Sequence, residues 1–580
     1  MAKEKVPGFN ARLWVRFVHI ARPYWVIHRG PAWAMFAGLI LLLLSQTAFN
    51  VLFNQQTGEF TSALAAGDAD RFWSAIQVYV VILVVAVPIY ALYYYVRDRL
   101  GLHWRRWLTD SFLKRYFAKR AYYRLNGSDI DNPDQRIADD IDSFTSKSLY
   151  FSMIALGSVI DLVAFSAVLW TISRTLVVFL ILYAVVSTFF TAAVFGRRLI
   201  NLNFHQLQRE ADFRFSLVRV REHAEPIAFH DGEAREMSVL QRVFAMVYAN
   251  YKRVLGWQFR LNLLQYSHTF LTVALPTVIV AKDVLSGEME VGRAIQAAGA
   301  FAAILSALTI IVQNFESLSR FSAGVDRLHA FSEALDKVDD MPVQRCAEPG
   351  AEGAPEADSP IRTEAGDALA LSHITAFTPN CEQMLVKDLS LTVKNGEGLM
   401  IIGCSGAGKS SLLRVIAGLW QTGSGVVTRP GGDQMLFLPQ QPYQPLGNLR
   451  CQLTYPKTDT GISDAALLDW LHVVNLPNLA ARFGGLDAEL DWSKVLSVGE
   501  QQRLAFARAL IAKPRYLLLD ESTSALDADN EEHLYSQLAG LAITPISVSH
   551  HHAISKHHRH ILDLKGEGAW TLREEAAPAA

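Results

Sequence analysis

Cysteine is scarce in this chain, with four in 580 residues. So few exclude a disulfide scaffold. All four (Cys346, Cys381, Cys404 and Cys451) fall in the second half, as expected of reduced thiols in a cytosolic region. Charge is scarce as well. Charged residues make up 19 % of the chain and hydrophobic residues 51 %, against roughly 25 % charged in an average soluble protein. A disordered chain shows the reverse balance. Neither sign of charge dominates, since the formal net charge is -2, and this excludes a basic coat for nucleic acid. No cleavable leader is expected. The first 30 residues are basic and rich in Trp and Phe, with no short apolar core and no small-residue cleavage site. They read as an interfacial amphipathic helix leading into a membrane span. No internal repeat is present.

What the chain has instead is long charge-poor apolar runs. About 20 residues suffice for a helix that crosses a ~30 Å hydrocarbon core. Six runs qualify before residue 320: Trp33 to Phe53, Trp73 to Val96, Tyr150 to Ser173, Thr175 to Gly196, Leu261 to Ala281 and Ala294 to Phe315. The third and fourth meet at a tight turn around Arg174. Six such runs are too many for buried helices of a soluble protein. Basic residues then set the orientation. Six precede the first run, and eleven lie in each of the loops Arg97 to Lys147 and Arg197 to Arg260. Arg71 is the one basic residue between the first two runs. Both termini and both long loops are therefore expected on the cytoplasmic side.

The composition changes after the sixth run. Residues 338–367 are rich in Ala, Pro, Glu and Gly and read as a solvated linker. From residue 368 to 570, short apolar strands alternate with helices, the pattern of an α/β domain. The expected fold is thus an α-helical polytopic membrane domain over 1–337 joined to an α/β P-loop domain, with a frayed tail at 571–580.

The α/β part carries the chemistry. Gly403-Cys404-Ser405-Gly406-Ala407-Gly408-Lys409-Ser410 fits GxxxxGK[ST] between the strand-like Leu399–Ile402 and a helix opening near Lys409. Its glycines let backbone N–H groups turn around phosphate oxygens, and the helix N-terminus adds positive potential. Lys409 is expected to reach the β- and γ-phosphates, and Ser410 to hold Mg²⁺. A second apolar strand, Tyr516 to Leu519, ends in Asp520-Glu521. Asp520 suits support of Mg²⁺. Glu521 is placed to orient a water and accept its proton. Between them, Leu496-Ser497-Val498-Gly499-Glu500-Gln501-Gln502 opens a helix. Ser497 with Glu500 three residues on is also a capping box. The run His550, His551, His552, His557, His558 and His560 reads as one functional histidine among solvated neighbours, with no carboxylate or cysteine to complete a metal site.

Taken in order, these segments resemble the ATP-binding-cassette (ABC) proteins, whose signature is LSGGQ. Phe437-Leu-Pro-Gln440 matches their Q-loop, Ser524-Ala-Leu-Asp527 their D-loop and His550 their switch histidine. The resemblance implies ATP and Mg as cofactors, with Glu521, His550 and Gln440 catalytic. It implies nucleotide contacts from the P-loop through Ser411, from Ser497 and Gly499, and from Asp527. Mg is implied at Ser410, Gln440 and Asp520. The family's adenine-stacking aromatic falls at Thr378, with Phe377 beside it. Phe377 has two readings, base-stacking or core.

The membrane half resembles a particular branch. Asn132-Pro133-Asp134-Gln135-Arg136-Ile137, Glu225-Pro226 and Phe60-Thr-Ser-Ala-Leu64 through Phe72-Trp73 are similar to segments of the peroxisomal fatty-acyl half-transporters (ABC subfamily D) and their bacterial relatives. Those relatives share a membrane domain with SbmA/BacA peptide permeases and include a mycobacterial transporter of cobalamin and other hydrophilic compounds. The Glu-Pro pair departs from the family's Glu-Ala. The resemblance implies a homodimer, because ATP is sandwiched between the P-loop of one copy and the signature of another. It also implies a bacterial inner membrane, force passed through the long loops, and a small hydrophilic solute or peptide as cargo, with no nucleic acid. A lipid or fatty-acyl cargo, a proton-coupled permease and either direction of transport stay open. Asp161 and His268 lie within spans, where ionisable groups serve a cavity, a proton relay or a helix–helix hydrogen bond.

Overall fold

The computed structural model describes residues 11–125, 133–337, 360–457, 461–549 and 552–575. Two compact units divide the chain, Met1–Asp340 and Met341–Ala580.

The first unit is helical. Its elements are α1 (Ala11–Ile27), α2 (Arg29–Ala66), α3 (Ala69–Phe117), the short α4 (Ala121–Arg124) and α5 (Pro133–Gln135), α6 (Ile141–Ile172), α7 (Arg174–Thr191), α8 (Arg197–Glu222), α9 (Ala224–Phe229), α10 (Glu233–Leu285), α11 (Val291–Gln313) and α12 (Phe315–Lys337). π-helical turns occupy Arg136–Asp140 and Ala192–Gly196. Among the described residues, four segments are long and apolar enough to cross a membrane: Arg29–Ala66, Ala69–Arg124, Pro133–Ile172 and Val291–Ile310. The two other expected spans are helical too, in α7 with its π turn and in α10. At 49 residues, α3 is about 74 Å long. It therefore projects well beyond a ~30 Å apolar layer.

Local sequence explains where these helices stop and start. Gly67 takes a left-handed φ of 73° and its N–H closes on Ala63 and Leu64 carbonyls, ending α2. The Asp68 side chain accepts from Arg71 N–H and opens α3. Ser173 is extended and separates α6 from α7 at the expected turn. Pro133 stands at the first helical position, while the Asn132 cap expected before it lies outside the described residues. Pro226 falls in the first turn of α9, where its missing N–H leaves no gap in the ladder.

Small residues let α2 and α11 touch. A Cβ added to Gly292 would stand 1.8 Å from the Gly58 carbonyl oxygen, and one on Gly299 would stand 2.3 Å from Asn54 Oδ1. Ser62 Oγ accepts from Gly292 N–H at 3.0 Å, and Asn54 Nδ2 donates to the Gln296 carbonyl at 3.1 Å. Asp161 accepts a hydrogen bond from Thr47 Oγ1, which ties α6 to α2. The helix–helix reading of Asp161 is the one the fold displays. The side chain of His268 lies outside the described residues.

Helix α12 is gripped by arginines from three directions. Arg16 of α1 meets Asp326 at 2.6 Å, and Arg115 of α3 meets Asp336 at 2.7 Å. Arg136, buried in the π turn, donates to the Arg327 carbonyl at 3.0 Å. Arg327 in turn grips both oxygens of buried Asp140 at 2.9 and 2.5 Å. Arg136 and Asp140 of the π turn thus clamp α12.

The second unit has two sheets. The smaller runs β1-β5-β2-β3, from β1 (Arg362–Ala365), β2 (Leu369–Phe377), β3 (Met384–Val393) and β5 (Gly423–Arg429). The larger runs β10-β9-β4-β8-β7-β6, from β4 (Leu399–Gly403), β6 (Met435–Leu438), β7 (Tyr516–Asp520), β8 (Thr544–Val548), β9 (His560–Gly566) and β10 (Ala569–Glu574). It is parallel except for β10. Every residue of β7 and β8 is buried, and in β7 this burial on both faces shows as the unbroken apolar run Tyr516 to Leu519. The helices are α13 (Lys409–Ile416), α14 (Leu449–Thr454), α15 (Asp464–Val473), α16 (Leu479–Arg482), α17 (Trp492–Val495), α18 (Val498–Ala512) and α19 (Ala528–Gly540).

Both boundaries of this unit differ from the compositional ones. Strand β1 lies inside the expected linker, because Arg362 to Ala365 pair in register with Val426 to Arg429. Strand β10 runs four residues into the expected tail, held by β9 and by Trp570 Nε1 donating to the Lys387 carbonyl at 2.8 Å. Strand pairing is non-local, so a polar, alanine-rich stretch does not reveal it. The thiols differ as well. Cys404 and Cys451 are free, but Cys381 is disulfide-bonded. Four cysteines exclude a disulfide scaffold without excluding a single bridge.

Candidate nucleotide site

Strand β4 delivers the P-loop at the end of the parallel sheet, and α13 leaves it. Gly403, Gly406 and Gly408 all have positive φ, at 144°, 82° and 91°. A Cβ on Gly403 would meet the Leu564 carbonyl oxygen at 2.5 Å, and one on Gly408 would meet Leu385 at 2.7 Å. Both glycines are therefore required by backbone conformation, and Gly403 also by close packing against a carbonyl. Cys404, Ser405 and Gly406 form the exposed tip, Ala407 is buried, and Ser411 sits in the first turn of α13. Lys409 Nζ folds back on the loop and donates to the carbonyls of Gly403 and Cys404 at 3.0 Å each. Its ammonium thus lies across the cradle into which phosphates fit.

The loops after β6 and β7 close on the same place. Ser410 Oγ donates to Asp520 Oδ1 at 2.7 Å. Asp520 is 8 % exposed. Burial pushes its carboxyl above the ordinary value, and the Ser410 hydrogen bond opposes that shift. Glu521 turns out of the strand with a φ of 48°, fixed by its N–H donating to the Val548 carbonyl of β8 at 3.0 Å. Gln440 Nε2 donates to Glu521 Oε2 at 3.0 Å. Lys409, Ser410, Gln440, Asp520 and Glu521 are thereby brought together from three separate stretches of sequence. A hydroxyl, a carboxylate and an amide oxygen are hard ligands suited to Mg²⁺, and the loop's glycines and inward N–H groups suit a polyphosphate. The residues fit both groups.

Ser497, Gly499 and Asp527 form a second group. Ser497 is the N-cap of α18, and the capping box with Glu500 is present. Glu500 also pairs with Arg482 at 2.7 Å, and that hydrogen bond, with those from Ser497, holds its carboxyl below the ordinary range despite burial. Gly499 lies against the D-loop, 3.1 Å from Ala525 oxygen at its Cβ position. Asp527 caps α19 by accepting from Asn530 N–H at 2.8 Å.

Gln502 joins the two groups, and sequence reasoning gave it no role. It is 1 % exposed. Its Nε2 donates to the Gln440 carbonyl at 3.3 Å and to Ser524 Oγ at 3.4 Å, and its Oε1 accepts from Ala525 N–H at 3.1 Å. One side chain of α18 therefore holds the Q-loop and the D-loop together. The available signal was a buried-type helix with an amide in it. Gln383 was also missed; its Nε2 donates to the Gly406 carbonyl at 3.2 Å.

The structure bears on two expectations and leaves a third outside the described residues. Phe377 is 4 % exposed at the end of β2, where it pairs with Met384, so its ring presents no open face to a base. The core reading holds in this conformation. The histidines are not a solvated run: His558 and His560 are buried. His558 Nε2 and Tyr535 Oη both meet Ser547 Oγ, at 2.8 and 2.9 Å, and burial lowers the His558 pKa to about 4. His560 opens β9, whose first five residues are all buried, and spacing along the run does not show this. His550 lies outside the described residues.

Comparison with known proteins agrees with this geometry. Residues 23–285 match the family model "ABC transporter transmembrane region 2", and residues 386–524 match "ABC transporter". An uncharacterized ABC transporter ATP-binding protein of Synechocystis is 43 % identical over 93 % of this chain and 81 % of its own length. The chloroplastic ABC transporter D family member 2 of Arabidopsis thaliana is 36 % identical over 95 % of this chain and 86 % of its own. The human lysosomal cobalamin transporter ABCD4 is 31 % identical over 98 % and 97 %.

Proposed function

The chain belongs to the ABC transporters, as a half-transporter related to the D family, and we propose that two copies work together to take up a hydrophilic solute. ATP hydrolysis in the α/β unit is coupled to transport through the helical unit. A cobalamin-like solute is the leading cargo. The likeness to the cobalamin transporter over nearly the whole of both chains carries this reading.

Two copies are needed because the signature of one copy serves the P-loop of the other. Ser497 and Gly499 are engaged with their own helix and D-loop, while Lys409 and Ser410 gather with Asp520. Lys409 leaves its loop carbonyls to bind phosphate. Ser410, Asp520 and Gln440 would hold Mg²⁺, whose charge would offset that of the phosphates. Glu521, held by Gln440 until then, orients water and takes its proton, with His550 contacting the γ-phosphate. The setting is a bacterial inner membrane with both termini in the cytoplasm, where the basic loops lie.

The test is transport in inside-out and right-side-out vesicles, with labelled cobalamin and a labelled cationic peptide, comparing wild type with Glu521→Gln. ATP-dependent movement of cobalamin toward the cassette side, abolished in the variant, is expected. Movement that persists in the variant under a proton gradient overturns ATP drive. Movement of neither probe turns the assignment toward lipid or acyl cargo.

A further inference from the structure

A cavity of about 380 Å³ opens between α3 and α6, within the size range of small-ligand sites. It plays no part in the nucleotide chemistry. Its position follows from the apolar runs. The second run ends at Val96, one residue before Arg97, and the third begins at Tyr150. From these two residues the cavity descends about 12 Å along each helix, to Arg105 and Asp142. The headgroup layer on one side of a bilayer is about 5–7 Å thick. The mouth of the cavity therefore lies at headgroup level, and its floor lies beyond. Tyr94 and Tyr95, more than half exposed on α3, mark the same level.

The charges are unbalanced. Arg97, Arg105 and Lys147 line the cavity, against Asp98 and Asp142. Arg97 pairs with Asp98 at 2.9 Å, and Arg105 with Asp142 at 2.9 Å. Lys147 is half-buried and forms no ion pair among the described residues. Its Nζ is held 5.4 Å from the centre of the Tyr150 ring. A half-buried ammonium resting on an aromatic face is steadied and still has all three N–H donors to give. The two paired arginines offer further N–H groups to the same space.

We propose that this cavity binds the phosphate of an anionic phospholipid, with Lys147 as its principal ligand and Tyr150 at the acyl-chain side. The chemistry required is a phosphate anion, and the headgroup depth selects a lipid over a soluble anion. The proposal rests on α3 and α6 crossing a bilayer. It does not depend on cargo, dimerisation or which side faces the cytoplasm.

The test uses the full chain, purified in a neutral detergent and delipidated. Thermal midpoints are measured while titrating short-chain phosphatidylglycerol, phosphatidylcholine or inorganic phosphate, with native mass spectrometry counting retained lipid. Wild type is expected to favour phosphatidylglycerol. Lys147→Ala should weaken that lipid about fivefold, the factor equivalent to ~1 kcal/mol for one basic residue near anionic lipid. Lys147→Arg should restore it, and lipid-free ATPase should be unchanged in both. Equal affinity for the two lipids in wild type overturns the proposal, as does an unchanged preference in Lys147→Ala. Stabilisation by inorganic phosphate alone, lost in Lys147→Ala, overturns the lipid assignment in favour of a soluble anion. Because the measurement is made in detergent, its outcome is independent of the transport assay.

Discussion

Removing the Gln502 amide should uncouple the Q-loop from the D-loop without touching nucleotide binding. The side chain is buried and makes three hydrogen bonds, at 3.1, 3.3 and 3.4 Å. Two are long and contribute at the lower end of the usual range. The Ala525 N–H, however, is left without its acceptor, which carries a desolvation cost. Together these amount to about 1–2 kcal/mol for Gln502→Ala. If the loops must be joined for Glu521 and Gln440 to act, that cost falls on the hydrolytic step, a loss of about 5- to 30-fold in kcat. KM for ATP should not change, since Gln502 bonds to none of the P-loop residues. Steady-state ATPase assays on the purified full chain give both constants. A double-mutant cycle sharpens the test: Ser524→Ala should lower kcat in the wild-type background and have a smaller effect beside Gln502→Ala, because they share a bond. Wild-type kcat in Gln502→Ala, or a loss confined to KM, refutes the reasoning.

Asp520→Asn should abolish Mg-dependent ATPase and yet raise the nucleotide-free thermal midpoint at neutral pH. Burial holds the Asp520 carboxyl above its ordinary value, so its contribution to stability is full below that ordinary value and is lost as pH rises through the native one. The gain in the variant should accordingly vanish in acid; melts across pH decide this. Glu500 has the opposite sign. Its pKa is lowered, chiefly by Arg482, so Glu500→Ala should cost about 0.3–1 kcal/mol at neutral pH, the scale of a carboxylate at a helix N-terminus, and progressively less as pH falls through the native value. Gly292→Ala drives a methyl group into the Gly58 carbonyl and should cost about 1–3 kcal/mol, read as a lower midpoint and yield in detergent. Gly38→Ala, with nothing within 4 Å of the added carbon, is the control.

Much of this protein is written locally. The glycines of the P-loop, the acids that end β7, the cap at Ser497 and the apolar runs before residue 320 each need only neighbours in sequence, because phosphate cradles, helix caps and membrane spans are formed by contiguous residues. Long apolar runs and the change of composition after the sixth carried the division into a membrane half and an α/β half. What the sequence alone did not decide depends on pairing between distant segments. Phe377 is core because β3 and β5 flank its strand, and the final strand is ordered because β9 and Lys387 supply partners. Gln502 becomes a junction only when the Q-loop and D-loop arrive from 62 residues before and 22 after. Arg136 becomes a clamp only when α12 packs beside it, 191 residues on. A hydrogen bond's strength is set by geometry across space, and only tertiary structure brings these partners within reach of one another.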